Sequence, residues 1–386
     1  MTPRSVMLVK YNNLIYALLY TSLFCALYLS FYNQITSGQS DLITHALLIQ
    51  DHINGSNEVA YPLWHEVVYL LHRISGLPIT ISAVLVNTLN VLIFGVLVHY
   101  FSITFLGKKT NALILIMIII SCLFAGNFFL PELNITKYHL AGNGAIAVWH
   151  NPTLFAVKPF AVSAFFLFFI GLEKKSTPIL ILSSALAIAS IFAKPIFIIV
   201  FIPSLIIYLI FLKFRKIEDT GPIQIYLIAT SVISFACIIF IYYKLYLNSP
   251  RDVDIVIAPF AVWEHYSNNI IISIYVTNLF LTNFLFLSFR NVSVRSLVAT
   301  LMVAISYMVF AIFAESRNSE ILMDGNFGWL SLCAIPIAFL STLIDYFKSL
   351  NKISYWKITV LNFSLAIQIV FGFYYYYKFL TSTSIL

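Results

Sequence analysis

The chain has 386 residues, of which 61% are hydrophobic and 10% are charged, with a formal net charge of +7. Soluble domains average about 25% charged and about 45–50% apolar residues, so this composition excludes a water-soluble globular protein. The mean hydropathy of +0.93 indicates instead that lipid is the solvent. No nucleic-acid partner is expected, because the basic residues lie in short clusters between apolar segments.

Eleven apolar segments have the length of a membrane-spanning helix, about 20 residues. Inside a bilayer a helix satisfies its own backbone hydrogen bonds, so the sequence predicts an all-α fold, a polytopic transmembrane helix bundle in a single integral membrane domain, 1–386. The first segment is long and no small-residue cleavage pattern follows it, so we expect a retained anchor. The predicted spans lie near 14–32, 78–106, 110–130, 153–172, 177–193, 195–212, 224–247, 268–289, 296–314, 328–347 and 356–377.

The connections between these segments alternate in charge. One set carries fourteen of the 22 basic residues, and cytoplasmic connections are the ones enriched in Lys and Arg. The amino terminus is therefore predicted to be cytoplasmic and the carboxyl terminus external, with outer loops at about 33–77, 131–152, 248–267 and 315–327. The basic residues of the predicted cytoplasmic set are Arg4, Lys10, Lys108, Lys109, Lys174, Lys175, Lys213, Arg215, Lys216, Arg290, Arg295, Lys348, Lys352 and Lys357.

The first outer loop carries the densest group of polar residues. Asp41, His45 and His52 recur at helical spacing, which predicts a helix from Asp41 to His52, and a second short helix begins at Pro62. Both have the pattern of amphipathic helices at the outer membrane interface. Their polar residues either solvate the outer rim, or Asp41 or His45 supplies acid–base chemistry in a cavity beneath. A metal site is not predicted, because these residues form no tight ligand motif.

Two Lys-Pro pairs recur at the outer ends of predicted spans. His150 and Asn151 precede a helix that starts with proline, where free backbone N–H groups favour anions, and Lys158 follows deeper in that helix. Lys194 occupies the equivalent place in a neighbouring segment. A lysine there is costly unless it reaches the lipid phosphates or an anionic partner. The two lysines therefore either extend toward the headgroups or share an anion site.

The remaining outer loops add two arginines and two tryptophans. Arg251 and Arg317 suit bidentate recognition of phosphate. Trp263 and Trp329 either anchor the chain in the interfacial aromatic belt or stack on the apolar faces of sugar rings.

The segment Gln39-Ser40-Asp41-Leu42-Ile43-Thr44-His45 places an acidic residue in the first outer loop of a many-span protein. In this the chain resembles the membrane-embedded glycosyltransferases of the C-type fold, which use lipid-linked sugar donors on the non-cytoplasmic face. Its size, span count and aromatic-rich spans also resemble bacterial O-antigen polymerases and related surface-polysaccharide assembly proteins. The chain lacks the paired-acid motif common among C-type transferases, since Leu42 follows Asp41, and it lacks the very large external loop of many O-antigen polymerases.

The resemblance implies a glycosyltransferase or repeat-unit polymerase that uses polyprenyl-diphosphate-linked sugars at the external face of a bacterial inner membrane. Asp41, with His45 one turn away, would deprotonate or orient the acceptor hydroxyl. The departing diphosphate would be stabilised by four basic side chains, with His150 and Asn151 at a helix start nearby. These side chains are Lys158, Lys194, Arg251 and Arg317.

No nucleotide-binding loop is visible in the sequence, and no cofactor is expected. The expected partners are the polyprenyl-linked saccharide, membrane lipids and other polysaccharide-assembly proteins. Two further functions remain open: a flippase or transporter for lipid-linked oligosaccharides, and a membrane acyltransferase in which His45 or His150 is the base. Transporters place charges near mid-membrane, whereas these spans are nearly free of charge at their centres, which favours an enzyme.

Overall fold

A computed structural model of the chain describes residues 3–38, 41–53, 62–128, 151–216, 220–243, 253–323 and 325–381. The described residues are mostly helical, with three short strands. The strands are β1 (Asp254–Ile257), β2 (Phe313–Arg317) and β3 (Glu320–Leu322). The helices are α1 (Pro3–Ser37), α2 (Asp41–Ile53), α3 (Pro62–Ser75), α4 (Ile79–Leu106), α5 (Ala112–Phe124), α6 (Pro152–Glu173), α7 (Thr177–Ala193), α8 (Ile196–Phe214), α9 (Gly221–Tyr242), α10 (Ala261–Tyr266), α11 (Ile270–Thr277), α12 (Leu279–Ser288), α13 (Val294–Ile312), α14 (Trp329–Ser349) and α15 (Tyr355–Leu380).

Each predicted apolar segment overlaps a described helix or helix pair, and residues 129–130 and 244–247 of two segments lie outside the described residues. Eight of the described helices are long and apolar enough to cross a bilayer, or nine if the bent pair α11 and α12 forms one span. The other two segments are the shorter apolar helices α5 and α7. The prediction of a helical membrane protein is thus confirmed, whereas the count of eleven crossings and the orientation of the termini stay predictions.

Contacts among the described residues mark two opposite ends of the helix bundle. At one end, Arg295 forms an ion pair of 3.1 Å with Asp345 and lies 4.0 Å from the centroid of the Phe105 ring. At the other end, Asp41 contacts Asn151. These contacts join only residues that the charge pattern assigns to the same side. We call the two ends the Arg295 end and the Lys194 end.

Helices α6 and α14 occupy the centre of the bundle. They are the most buried of the candidate spans, whereas α1, α9 and α15 present wide exposed faces. Large apolar side chains such as Phe286 and Tyr355 are over 80% exposed, as expected for surfaces that meet lipid. The first residues of both helices lie at the Lys194 end.

The α11–α12 pair bends by 82° at Asn278, and the side chain of Gln368 in α15 bridges the break. The Phe280 N–H donates to Gln368 Oε1 at 3.0 Å, and Gln368 Nε2 donates to the Thr277 carbonyl at 2.9 Å. A broken helix in a bilayer needs such partners, because no water is available for the freed backbone groups. One amide therefore replaces two of the hydrogen bonds that the bend removes.

Gly372 of α15 packs against the end of α5 without space for a side chain. A Cβ atom there would overlap the carbonyl oxygen of Phe124, and a Cβ on Gly126 would lie 2.9 Å from the Cα of Gly372. The Gly126 N–H also donates to the Gln368 carbonyl at 2.9 Å. This close approach fixes α15 beside α5 near the α11–α12 break.

The three strands form an antiparallel sheet in the order β1-β2-β3 at the Lys194 end. Asn318 and Ser319 connect β2 and β3 with positive φ angles of 50° and 69°, as in the two-residue turns that join hairpins. The sequence prediction of an all-α bundle did not include this sheet, which connects the loop after α9 to the loop between α13 and α14. Its middle strand carries Glu315 toward the site described next.

Candidate functional site

Asn151 immediately precedes α6 and hydrogen-bonds to Asp41 at the start of α2. Its Oδ1 atom accepts from the Leu154 N–H at 3.0 Å and from the Thr153 hydroxyl at 2.8 Å, which makes Asn151 the N-cap of α6. Its Nδ2 atom donates to Asp41 Oδ2 at 3.3 Å. Asn151 is 5% exposed, so this amide fixes the position of the Asp41 carboxylate relative to the central helix.

Lys194 lies in the break between α7 and α8. The residue before a proline is disfavoured from the helical region, and Lys194 is extended, with φ −175° and ψ 131°. Its ammonium group lies 4.4 Å from the centroid of the Trp329 ring at the start of α14. Lys194, which precedes Pro195, is thus not helical, and its ammonium group contacts the face of the Trp329 ring.

A hydrogen-bonded chain connects Trp329 to the sheet. The Trp329 indole N–H donates to Asn326 Oδ1 at 3.3 Å, and Asn326 Nδ2 donates to Glu315 Oε2 at 2.8 Å. Lys194 interacts electrostatically with the carboxylates of Asp41 and Glu315. Both carboxylates thus lie near enough to act on the ammonium group, and they come from opposite halves of the sequence.

His45, one turn along α2 from Asp41, pairs with His65 of α3. The His45 Nδ1 and His65 Nε2 atoms are 3.0 Å apart, and Trp64 packs edge-on against the His45 ring at 5.9 Å. His65 is only 4% exposed, because its ring packs beside the His45 ring with the centroids 5.1 Å apart. The two predicted helices of the first outer loop are confirmed as α2 and α3.

We refer to this group as the Lys194 cluster. It comprises Asp41, His45, His65, Asn151, Lys194, Glu315, Asn326 and Trp329.

The electrostatics of the Lys194 cluster keep His45 neutral. Burial, then the neighbouring His65 and the Lys194 ammonium, lowers the pKa of His45 to about 3. Burial also lowers the pKa of Lys194 to about 8, against the opposing effect of Asp41 and Glu315. His45 is consequently a poor general base near neutral pH, since a base works best with a pKa near the working pH. Lys194 stays mostly protonated.

Lys158 has a different environment from Lys194, although both precede a proline. Helix α6 continues through Pro159, so Lys158 points from an intact helix, 5.5 Å from the Phe155 ring centroid and 5.9 Å from that of Phe94. Cys333 of α14 is close enough to interact with it electrostatically. The described contacts do not join the two lysines, and their shared anion site stays a prediction.

Trp263 does not present a ring face at the surface. It is 1% exposed and packs against the rings of Tyr307 and Phe310 at 5.3 and 4.9 Å. This burial leaves no face for a sugar ring or for the lipid interface, so the structure contradicts both predicted roles of Trp263. Arg317 is exposed at the hairpin end of β2. The predicted site residues His150 and Arg251 lie outside the described residues.

Three members of the Lys194 cluster were absent from the sequence-based site. His65, Glu315 and Asn326 each owe their place to a tertiary contact: the first to the packing of α2 on α3, the others to the hairpin that precedes α14. Only their position in polar outer loops could have suggested them. Among the described residues, no group of three His, Cys, Asp or Glu side chains is arranged to hold a metal ion.

No protein-family model matches the chain, and no curated protein matches it either.

Proposed function

We propose that the protein is a glycosyltransferase or repeat-unit polymerase that uses a polyprenyl-diphosphate-linked sugar at the external face of a bacterial inner membrane. The observation that carries this proposal is the grouping of Asp41 and Lys194 at one end of the helix bundle. A carboxylate and an ammonium group near a membrane surface match the two charges that glycosyl transfer from a diphosphate requires. The rest of the Lys194 cluster supplies the positioning contacts.

The proposed reaction forms one glycosidic bond. The acceptor hydroxyl oxygen bonds to the anomeric carbon of the donor sugar, and the bond from that carbon to the diphosphate oxygen breaks with its electron pair on the diphosphate. Asp41 takes the hydroxyl proton, which makes the oxygen a better nucleophile. The Lys194 ammonium stabilises the charge that develops on the diphosphate.

The other members of the Lys194 cluster hold these two groups in place. Asn151 fixes Asp41 through the N-cap of α6, and Trp329 holds the Lys194 ammonium. The low pKa of His45 favours an orienting or hydrogen-bonding role for its neutral ring. It also weakens the acyltransferase alternative in which His45 is the base.

The test is the glycolipid profile of cells that lack the protein and carry either wild type or Asp41→Asn. Loss of a general base typically lowers rate by about 10²–10⁴-fold, so Asp41→Asn should accumulate single lipid-linked repeat units if the enzyme is a polymerase. It should accumulate units lacking one sugar if the enzyme is a single-sugar transferase. Asp51→Asn, on the same helix, is the matched control. Full activity of Asp41→Asn at normal expression would contradict the proposal.

A transporter for lipid-linked oligosaccharides is the second candidate, and the α11–α12 break favours it. Discontinuous helices at membrane depth are a feature of transporter binding sites, and this pair bends by 82°. Purified protein in liposomes with a labelled lipid-linked oligosaccharide separates the two functions. An enzyme creates a new glycosidic bond, whereas a transporter moves the unchanged lipid between leaflets.

A further inference from the structure

The α11–α12 break contains buried oxygen atoms that no described group satisfies. Thr277 Oγ1 and Asn278 Oδ1 have no hydrogen-bond partner in the described part of the chain, and the two residues are 0% and 4% exposed. A buried polar atom without a partner is costly and calls for a ligand or an ordered water. The two atoms belong to consecutive residues at the bend.

The hydrogen bonds of the Asn278 side chain show which of its amide atoms is left without a partner. Its Nδ2 atom donates to the Ile274 carbonyl at 2.9 Å and to the Tyr307 hydroxyl oxygen at 2.8 Å. Both hydrogens of the amide are therefore engaged, and its oxygen is the remaining group. The orphaned atom is an acceptor, so the missing partner must carry positive charge or a donor.

The backbone offers a further oxygen at the bend. In an unbroken helix the Phe280 N–H would donate to the carbonyl of Val276, but here it donates to Gln368. The carboxyl end of α11 also carries the negative end of the helix dipole. The break thus combines side-chain oxygens, a released carbonyl and a negative backbone potential.

We propose that this break binds a sodium ion, with Thr277 Oγ1, Asn278 Oδ1 and the Val276 carbonyl among its ligands. Hard cations take oxygen ligands of this kind, and half-helix carboxyl ends with unwound carbonyls coordinate sodium in membrane proteins. A divalent ion fits less well, because the side chains that bond to the break, Gln368 and Tyr307, are uncharged. Neutral oxygens do not offset two charges in a low-dielectric interior.

A bound ion would link α11 to α12 across the bend and stabilise the folded state. This role is independent of glycosyl transfer, so it can fail or hold whatever the chemistry at the Lys194 cluster. Ligand binding to the folded state raises the unfolding midpoint with a saturable concentration dependence. Thermal unfolding of the purified protein therefore reads out the site directly.

The experiment compares the midpoint in NaCl, KCl and choline chloride at equal ionic strength. We expect a saturable rise of a few degrees in sodium for wild type and for Thr277→Ser, which keeps the hydroxyl. Thr277→Val keeps the shape but removes the oxygen and should lose the sodium response. Thr88→Val is the matched control, because the buried Thr88 hydroxyl already donates to the Val84 carbonyl at 2.8 Å.

Binding of radioactive sodium to wild-type protein provides a second measurement that does not depend on the folding of any variant. Saturable binding that choline does not compete supports the site. Three results would overturn the assignment. The first is no rise of the wild-type unfolding midpoint in sodium, the second is an equal sodium response in Thr277→Val, and the third is an equal rise of the wild-type midpoint in potassium. In the first of these outcomes the break holds water only.

Discussion

Replacing Gln368 by leucine should destabilise the fold by removing both hydrogen bonds that bridge the α11–α12 break. The change leaves the Phe280 N–H and the Thr277 carbonyl without their hydrogen-bond partner, and a buried backbone group in that state costs about 1–3 kcal/mol. Two such groups give about 2–6 kcal/mol. Hydrogen bonds between membrane helices average only about 0.6 kcal/mol, since unfolded segments in the membrane also find partners. We therefore expect a loss near the lower end, about 2 kcal/mol.

The assay is the thermal unfolding midpoint in detergent, with Gln34→Leu as the matched control. Gln34 is 3% exposed, but its amide atoms have no hydrogen-bond partner among the described residues, so leucine there should be neutral or stabilising. Gln368→Leu should lower the midpoint by several degrees. An unchanged midpoint for Gln368→Leu, or an equal loss in both variants, would refute the bridging role.

Three further predictions test other parts of the structure. Gly372→Ala should abolish a monodisperse peak in size-exclusion chromatography, because its Cβ would overlap the end of α5; Gly221→Ala, with open space around it, should behave as wild type. Asp345→Leu should cost about 3–5 kcal/mol in denaturant unfolding by leaving Arg295 buried without its partner, whereas the double replacement Arg295→Met with Asp345→Leu should recover most of that loss. The pKa of His45 lies near 3 in the folded state and 6.5 when unfolded, so the unfolded state binds more protons in this window; the midpoint should fall from pH 7 toward pH 5, and less in His45→Gln. A fall of equal size in His45→Gln would contradict that assignment.

The helices could be predicted from the sequence because their signals are local. The apolar segments overlap the described helices, the spacing of Asp41, His45 and His52 predicts α2, and Pro62 begins α3 as its first-turn preference indicates. The charge pattern also assigns the connections to two sides of the membrane, and that assignment stays a prediction. In each case the determining property, hydropathy or first-turn preference, belongs to neighbouring residues in the chain.

The features that sequence analysis missed depend on contacts between distant residues. No proline or glycine at Asn278 marks the bend in the sequence. Gln368, ninety positions later, supplies hydrogen-bond partners for the backbone groups that the bend leaves without one. The β2–β3 turn uses Asn318-Ser319 rather than the Asn-Gly pair that signals a hairpin. Trp263 was assigned to the interface because of its loop position, whereas packing against α13 buries it.

The two Lys-Pro pairs illustrate the same limit. The motif alone is identical at Lys158 and Lys194, but α6 continues through its proline while α7 ends at Ala193. The sequence motif by itself therefore does not decide whether the helix continues through its proline. Of the two lysines, Lys194 is the one whose pKa the carboxylates Asp41 and Glu315 affect.

The central claim is that the Lys194 end faces the outside of the cell, and cysteine accessibility tests it most directly. Glu320 and Arg215 are both exposed and lie at opposite ends of the bundle. In a background without the native cysteines, intact cells carrying Glu320→Cys should react with a membrane-impermeant thiol reagent, while those carrying Arg215→Cys should react only after the membrane is opened. Labelling of Arg215→Cys but not Glu320→Cys in intact cells would contradict the account.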